Sequence, residues 1–577
     1  MNFSFLRRVC RLAAVGVTLL FSASCIKVNE HLGENLIPTN QKWDVFSPEA
    51  QPLTDIRLQM ADSLSGYSST RFTFGSVKDD LMGTTIKSTS FTLVPLQDSL
   101  DFGKNTKVTG FHFTASRDTL STVFDYQQRI IQNIYVYELK EALDSTVLYS
   151  GAFDKERFVN TSSVITEGIP VYDGGDSLSF EFNREFAESF IERLQKADMD
   201  SLALFVNGIP GIYITTDTPA GDGGRINMFE LGINYDQNYG YITGNYAELK
   251  FKADYEDRQN VDTSFVFFFG PGDFLHNLDS SSEITQFAFN SSTHLYESND
   301  LLNPEDLKRG GIKAKDKIYV EGGSGVKPVV KAAEIREIIE AQMVEAGVKD
   351  ISEAVINKAT IILPYNVNGD YDLLEKFPTI LSPTVKLRSN EGDYVTYAGL
   401  TDASIASENQ GNINRSLGMF SPDMSHHVQE IMKVKRDADY EKNIAKYDIW
   451  FLVMHEEVTE TESSSSSMND YYQNLMYSSY YNNMMYDPYG YGYGYGYGGY
   501  GGYGGYGGYG GYGYNNYYSY MMMAALAGSY NQTSSETSVE LDKDRYYRCA
   551  LNGPEYDGGL EDLPRIKVTF SAPKSAE

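Results

Sequence analysis

Ser177-Leu178-Ser179-Phe180-Glu181-Phe182 alternates polar and apolar residues without a break. In an extended chain successive side chains point to opposite faces, so Leu178, Phe180 and Phe182 share one face and the stretch predicts a half-buried strand. The same period-two pattern places Phe111 with Phe113, and Ile130 with Ile134 and Val136. Further strands are expected at Leu202 to Val206, Ile212 to Thr215 and Tyr246 to Ala253. One helix interrupts them at about 184–197, where Phe186, Phe190, Ile191 and Leu194 recur at helical spacing. The spacing of these elements predicts a β-sandwich or jelly roll over residues 51–255.

Residues 256–285 read as a crossover into a second β domain, 286–577. Its strands are expected near Lys317 to Val320, Val355 to Leu363, Tyr447 to Met454, Tyr546 to Leu551 and Ile566 to Phe570. A helix over 329–346 buries Ile335, Ile338, Ile339, Met343 and Ala346, with Pro328 at its start and Gly347 as its cap. The fold class is therefore mainly β: two β-sandwich or jelly-roll-like domains with a few helices. Into the second domain is set a low-complexity insertion, 457–536, in which Tyr489 to Tyr514 alternate with glycine. Glycine at that density denies a segment a stable core, so the insertion is expected to be disordered. Either it is an expanded surface loop without a role, or its tyrosines, for example Tyr489, Tyr500 and Tyr512, form an aromatic segment that stacks on sugars or on other chains.

The N-terminus carries a different kind of signal. Arg7, Arg8 and Arg11 flank an apolar run from Leu12 to Phe21, followed by Ser22, Ala23 and Ser24 directly before Cys25. This reads as a bacterial lipoprotein signal peptide over 1–24, with Cys25 as the acylated residue. The apolar run is shorter than the roughly 20 residues that span a bilayer, and Ser22 stands where such signals prefer leucine. Ordinary secretion and a retained helix are the competing readings. Residues 25–50, with Pro38 and Pro48, read as an extended tether.

Composition narrows the partners. The 577-residue chain carries a net charge of −30, near −33 once Arg7, Arg8 and Arg11 leave with the signal. Phosphate binding needs a basic footprint, so nucleic acid is excluded as a partner class. Electrostatic docking of the whole chain on anionic lipid is likewise disfavoured, which leaves the acyl chains to hold it at a membrane. Of three cysteines, only Cys549 lies outside the signal and anchor, so no internal disulfide is expected and Cys549 reads as a small core residue.

Candidate chemistry is sparse. Gly322-Gly323-Ser324-Gly325-Val326-Lys327 has the look of a phosphate-cradling loop, but Val326 separates the last glycine from the lysine and Pro328 stands where a hydroxyl residue belongs, so a structural turn is expected. His426, His427 and Glu430, and separately His455, Glu456 and Glu457, are the His and carboxylate groupings; neither supplies the three protein ligands usual for zinc. Asn366, Asn368, Asp370 and Asp372 around Gly369 lack the glutamate of a calcium loop and read as a turn. No hydrolase elbow, recognisable pair of acids or Cys/His pair is present in the sequence. No cofactor and no metal are expected.

Four short motifs carry a resemblance: Gly33-Glu34-Asn35-Leu36-Ile37-Pro38, Val136-Tyr137-Glu138-Leu139, the Gly322 to Lys327 turn, and Ile356-Asn357-Lys358-Ala359-Thr360-Ile361. In these the chain resembles a family of Bacteroidota outer-membrane lipoproteins defined only as a domain of unknown function. The resemblance implies an outer-membrane, lipid-anchored location, expected at the cell surface, and association with a larger outer-membrane assembly. Related surface lipoproteins carry an acidic export signal after the cysteine, which Lys27 and Glu30 match only in part, so the periplasmic leaflet stays open. The same lineage glycosylates Asp-Ser/Thr sites, and Ser63, Ser99, Thr119, Ser145, Ser177 and Ser201 fit that pattern. The expected function is a non-catalytic accessory or scaffold subunit of an outer-membrane β-barrel protein assembly or export machine. A surface glycan-binding lipoprotein, using exposed tyrosines and Trp43, is the alternative, and a hydrolase the third.

Overall fold

The computed structural model describes residues 43–68, 71–95, 100–118, 130–143, 150–197, 205, 207–231, 233–236, 241–269, 288–388, 395–405, 407–461, 534–542 and 547–573. They build a mainly β protein of curled antiparallel sheets with few helices. No helix among them is long and apolar enough to cross a membrane. Cys25, Ser99, Thr119, Ser145, Ser201, Tyr489, Tyr500 and Tyr512 lie outside the described residues.

Two large apolar cores organise the sheets. One fills the space beside a five-stranded sheet of order Ser177–Glu181, Lys104–Ser116, Tyr246–Tyr255, Arg258–Phe269, Leu93–Pro95, and a nine-stranded sheet centred on Gly83–Phe91. Ser177–Glu181 alternates as its sequence demands, with Leu178 and Phe180 buried and Ser177 exposed. Phenylalanine dominates this core: Phe113 stacks on Phe180 at 4.6 Å between centroids, and Phe111 lies 5.4 Å from Phe190 of the helix Arg184–Leu194. Asn183 caps that helix by accepting from the Phe186 N–H at 2.8 Å. The helix buries the four residues its pattern names, Phe186, Phe190, Ile191 and Leu194.

The second core lies among a six-stranded sheet (Trp43–Phe46, Arg565–Pro573, Val355–Pro364, Met419–Phe420, Ile413–Asn414, with Gln51–Pro52 also on Arg565–Pro573) and a seven-stranded sheet that includes Ile56–Met60, Val326–Val330, Ile449–Thr461 and Ile380–Arg388. The helix Ala332–Glu345 packs on it through Ile335, Ile339 and Met343. Gly347, at φ +77, ends the helix: its N–H donates to Val344 O at 3.0 Å and the Val348 N–H to Met343 O at 2.9 Å. This paired arrangement needs a left-handed residue, which glycine supplies without strain.

Several expected boundaries move. Pro328 does not open the helix; it sits in the strand Val326–Val330, opposite Leu58. The β-branched run Val326, Val329 and Val330 outweighs the helix-start signal of a proline. Of the strand expected at Leu202 to Val206 only Phe205 is described; it is helical, as are residues 207 and 208, and the Ile209 N–H donates to Phe205 O at 2.9 Å. Residues 256–285, expected as a crossover, contribute Arg258–Phe269, which hairpins onto Tyr246–Tyr255. The expected tether contributes Trp43–Phe46, paired with Arg565–Pro573 so that Phe46 stacks on Phe570 at 5.4 Å. Nor do the sheets follow the division at 255 and 286. Ile56–Met60 pairs with Val326–Val330, and Ala288–His294 pairs with Gly83–Phe91.

Candidate functional site: a sealed charge cluster and the exposed faces

Charged side chains collect where the two cores meet. The strands Lys317–Glu321 and Arg548–Asn552 pair so that Glu321 stands opposite Arg548, both 1 % exposed. Arg548 donates from Nε and Nη2 to Glu321 Oε1 at 3.0 and 2.9 Å, and from Nη1 to Gly83 O at 2.7 Å. Its Nη1 also lies 2.9 Å from Asp79 Oδ1. The other carboxylate oxygen, Oε2, accepts from Tyr296 OH at 2.7 Å and lies 3.0 Å from His294 Nδ1. Thr85, two residues along from Gly83 in the strand Gly83–Phe91, donates its hydroxyl to Oε1.

Burial alone would raise the Glu321 carboxyl, but the neighbouring His294 and Arg548, with the hydrogen bonds of His294 and Thr85, hold it well below the usual carboxylate range. The same burial and the Glu321 charge push the Tyr296 hydroxyl well above its ordinary value.

The Gly322–Lys327 turn closes over this cluster, and its polar groups are used from within. The Gly322 N–H donates to Tyr547 O at 2.8 Å, the Gly323 N–H to Asp542 O at 3.2 Å and the Gly325 N–H to Gly322 O at 3.2 Å. Lys327, 1 % exposed, turns back to donate to the carbonyls of Gly323 at 2.9 Å and Gly325 at 3.2 Å, and to Glu321 O. An anion cradle needs free amides and a lysine aimed outward; here the amides of Gly322, Gly323, Gly325 and Val326 are taken and the lysine binds the loop's own carbonyls. A Cβ on Gly325 would run into the Glu321 carboxylate, so the turn can pass only as glycine. Burial, partly offset by the charges of Glu321 and Asp542, brings the Lys327 ammonium down to about 7.

The other sequence candidates separate in space. His427 is buried on the helix Ser425–Lys433 and its Nε2 lies 2.9 Å from Tyr447 O, whereas His426 is exposed and Glu430 accepts from Lys433 Nζ at 2.6 Å. His455 is 3 % exposed, 4.0 Å from Asp542, while Glu456 alternates to the exposed side of the same strand. Among the described residues no group of three or more His, Cys, Asp or Glu is placed to hold a metal ion. Asn366 accepts from the Asn368 N–H at 2.8 Å, and Asn368 and Gly369 take positive φ, which makes 366–372 a turn. Cys549 is buried in the second core, where burial pushes its thiol up. Of the glycosylation candidates described, Ser177 is exposed at the start of its strand and Ser63 is half-buried, its hydroxyl donating to Asp62.

Two surfaces among the described residues combine an aromatic side chain with exposed apolar neighbours on one strand face. On Gln132–Leu139 the rings of Tyr135 and Tyr137 lie parallel, 6.5 Å apart, on the outward face. Asp217 accepts there from Tyr135 OH at 3.0 Å and from Asn133 Nδ2 at 2.9 Å, and the exposed Ile131 and Val171 flank them. The second surface is the outer side of Trp43–Phe46, with Trp43 47 % and Val45 68 % exposed. Neither row was singled out as a unit in the sequence, although the alternation of Ile131, Asn133, Tyr135 and Tyr137 contains the first.

Compared with known protein families, with characterised proteins and with solved structures, the chain matches none at a significant level.

Glu321→Gln is expected to cost about 3 kcal/mol in urea unfolding, because the buried Arg548 loses its fully buried counter-charge and keeps only the partly exposed Asp79; adding Arg548→Met should recover part of that loss. A second consequence concerns pH. Burial brings the His427 imidazole down to about 4, below its unfolded value near 6.5. Between those values the native state binds fewer protons than the unfolded state, so His427 withdraws stability as pH falls from about 6.5 to 4, by up to about 3 kcal/mol. His427→Gln, whose amide can still donate to Tyr447 O, should therefore show a flatter fall in unfolding free energy between pH 7 and pH 4.5 than the parent.

Proposed function

We propose that this chain is a lipid-anchored, non-catalytic outer-membrane protein that serves as an accessory subunit of an outer-membrane protein assembly. The observation that carries the reading is the edge strand Trp43–Phe46. It pairs on one side with Arg565–Pro573, and among the described residues nothing pairs with its other side. It also begins only 18 positions after Cys25, the proposed point of acylation. An unpaired edge offers a row of backbone donors and acceptors to which a β-rich partner can add a strand. Such an edge, held near the bilayer by acyl chains, would meet a membrane β-barrel protein without long-range steering.

The resemblance to outer-membrane lipoproteins and the export-type N-terminus point the same way. Cys25→Ser should move the protein from the membrane fraction to the soluble fraction. Affinity purification of the parent in mild detergent with crosslinking should recover a β-barrel partner; recovery of the protein alone would sink the accessory-subunit reading.

A second reading, a surface glycan-binding lipoprotein, is favoured by one observation. Tyr135 and Tyr137 present parallel rings beside Asp217 and Asn133, which combines apolar ring surface with hydrogen-bonding groups of the kind that recognise sugar hydroxyls. On a polysaccharide panel this reading expects at least one ligand whose affinity falls about tenfold, ~1.4 kcal/mol, in Tyr137→Ala; binding to no member of the panel removes it.

A further inference from the structure

We infer that the outer face of the three strands Trp43–Phe46, Arg565–Pro573 and Val355–Pro364 rests on phospholipid headgroups, which orients the protein on its membrane; the inference rests on the lipid-anchor reading above. Register fixes which residues share the face. Val45 pairs with Ser571, and Ser571 with Val355 on its other side, so these three lie in one row. Trp43 pairs with Pro573 two residues along, and Lys358 with Thr569 beyond the irregularity at Ile356–Lys358. Phe46 and Phe570 turn to the opposite side, into the core.

Three properties distinguish the face. It carries exposed apolar side chains: Trp43 at 47 %, Val45 at 68 % and Val355 at 44 %. An indole with one apolar edge and one N–H donor is suited to the boundary between headgroups and acyl chains. Its charged residues are Lys358 and Lys567, both exposed and, among the described residues, in no ion pair, and the half-buried Arg565, whose Nη1 donates to the carbonyls of Glu561 and Leu563. The nearest acids along the chain lie off the strands' outer side: Asp44 alternates to the other side of its strand, Glu353 precedes Val355 in a short 3-10 turn, and Glu561 and Asp562, whose charges reach Arg565, sit in the 3-10 turn Leu560–Asp562 before it. In a chain of net charge −30, a face without acid stands out, because anionic headgroups repel the rest of the surface and so select this side.

The third property is position. The 18 positions from Cys25 to Trp43 reach about 60 Å at most when fully extended, and this strand is the first described element after the anchor. The acyl chains supply retention and the face supplies orientation, so whole-chain acidity is no obstacle. A face laid on the bilayer would also turn the free edge of Trp43–Phe46 along the membrane plane, where a barrel protein lies.

The chain has two tryptophans, and the other, Trp450, is 5 % exposed, so Trp43 is a native reporter. The acylated full-length protein is reconstituted into vesicles of phosphatidylethanolamine and phosphatidylglycerol, with and without bromine on the acyl chains near the headgroup. Bromolipid should quench about half of the Trp43 emission, taken as the difference between parent and Trp43→Phe. In Lys358→Glu/Lys567→Glu the quenching should fall at least twofold while flotation with the vesicles is unchanged. Protein that floats with the vesicles, yet whose Trp43 is untouched by bromolipid and fully open to acrylamide, overturns the inference and leaves the anchor reading standing. Shielding of Trp43 only after a soluble polysaccharide or a partner protein is added overturns it in favour of that occupant. Failure to float overturns the anchor reading and the inference with it.

Discussion

The pairing of Arg548 with Glu321 is the constraint on which the remaining architecture depends. Neither residue could be sealed alone: an unpaired charge in a low-dielectric interior costs several kcal/mol even after relaxation. Together they are tolerable only because every remaining oxygen and N–H finds a partner. Those partners come from separate parts of the chain, Thr85 and Gly83 from the strand Gly83–Phe91, His294 and Tyr296 from the end of Ala288–His294 and just beyond. The charge pair thus requires the nine-stranded sheet, the small sheet carrying Glu321, and the glycine turn to be present at once. An apolar contact of similar area would permit sliding; a saturated ionic network permits one register.

That network explains why the glycine turn looks like a ligand site and does not act as one. A loop rich in glycine next to a lysine can bind an anion if its amides converge on empty space. Here the loop must cross directly over a carboxylate, which demands glycine at Gly325, and the lysine donates to the loop's inward carbonyls. The same residue types serve a steric and an internal electrostatic purpose.

How much of this could be read in the sequence follows from the range of each interaction. Local patterns were informative: the alternation in Ser177–Glu181, the stripe Phe186, Phe190, Ile191 and Leu194, and Gly347 after its helix each depend on neighbours within a turn or two. Pro328 misled because a local helix-start signal competed with a β-branched run whose partner, Ile56–Met60, lies about 270 positions away. The pairing of Arg548 with Glu321, 227 positions apart, left only a faint trace, a charged residue at the end of the apolar run Ile318-Tyr319-Val320. Trp43–Phe46 was invisible as a strand for the same reason: its partner is near the far end of the sequence, and four residues hold too few periods to be distinguished from a linker.

The distribution of charge follows from the same division between local and distant. The surface is acidic, yet the interior cluster holds Arg548 and Lys327 beside Glu321, so basic residues are spent where they lock sheets together. What basic surface the outer face of Trp43–Phe46 and its neighbours retains, Lys358, Lys567 and the half-buried Arg565, lies on strands that also bury Ile356 and Phe570 in the second core. Each strand therefore has one side committed to packing and the other left for contact with the surroundings. Because alternation is strict, a one-residue slip in Arg565–Pro573 would bring Phe570 out and carry Lys567 in. The core packing that fixes the register of this sheet is therefore also what keeps the exposed face free of acid and apolar at its rim.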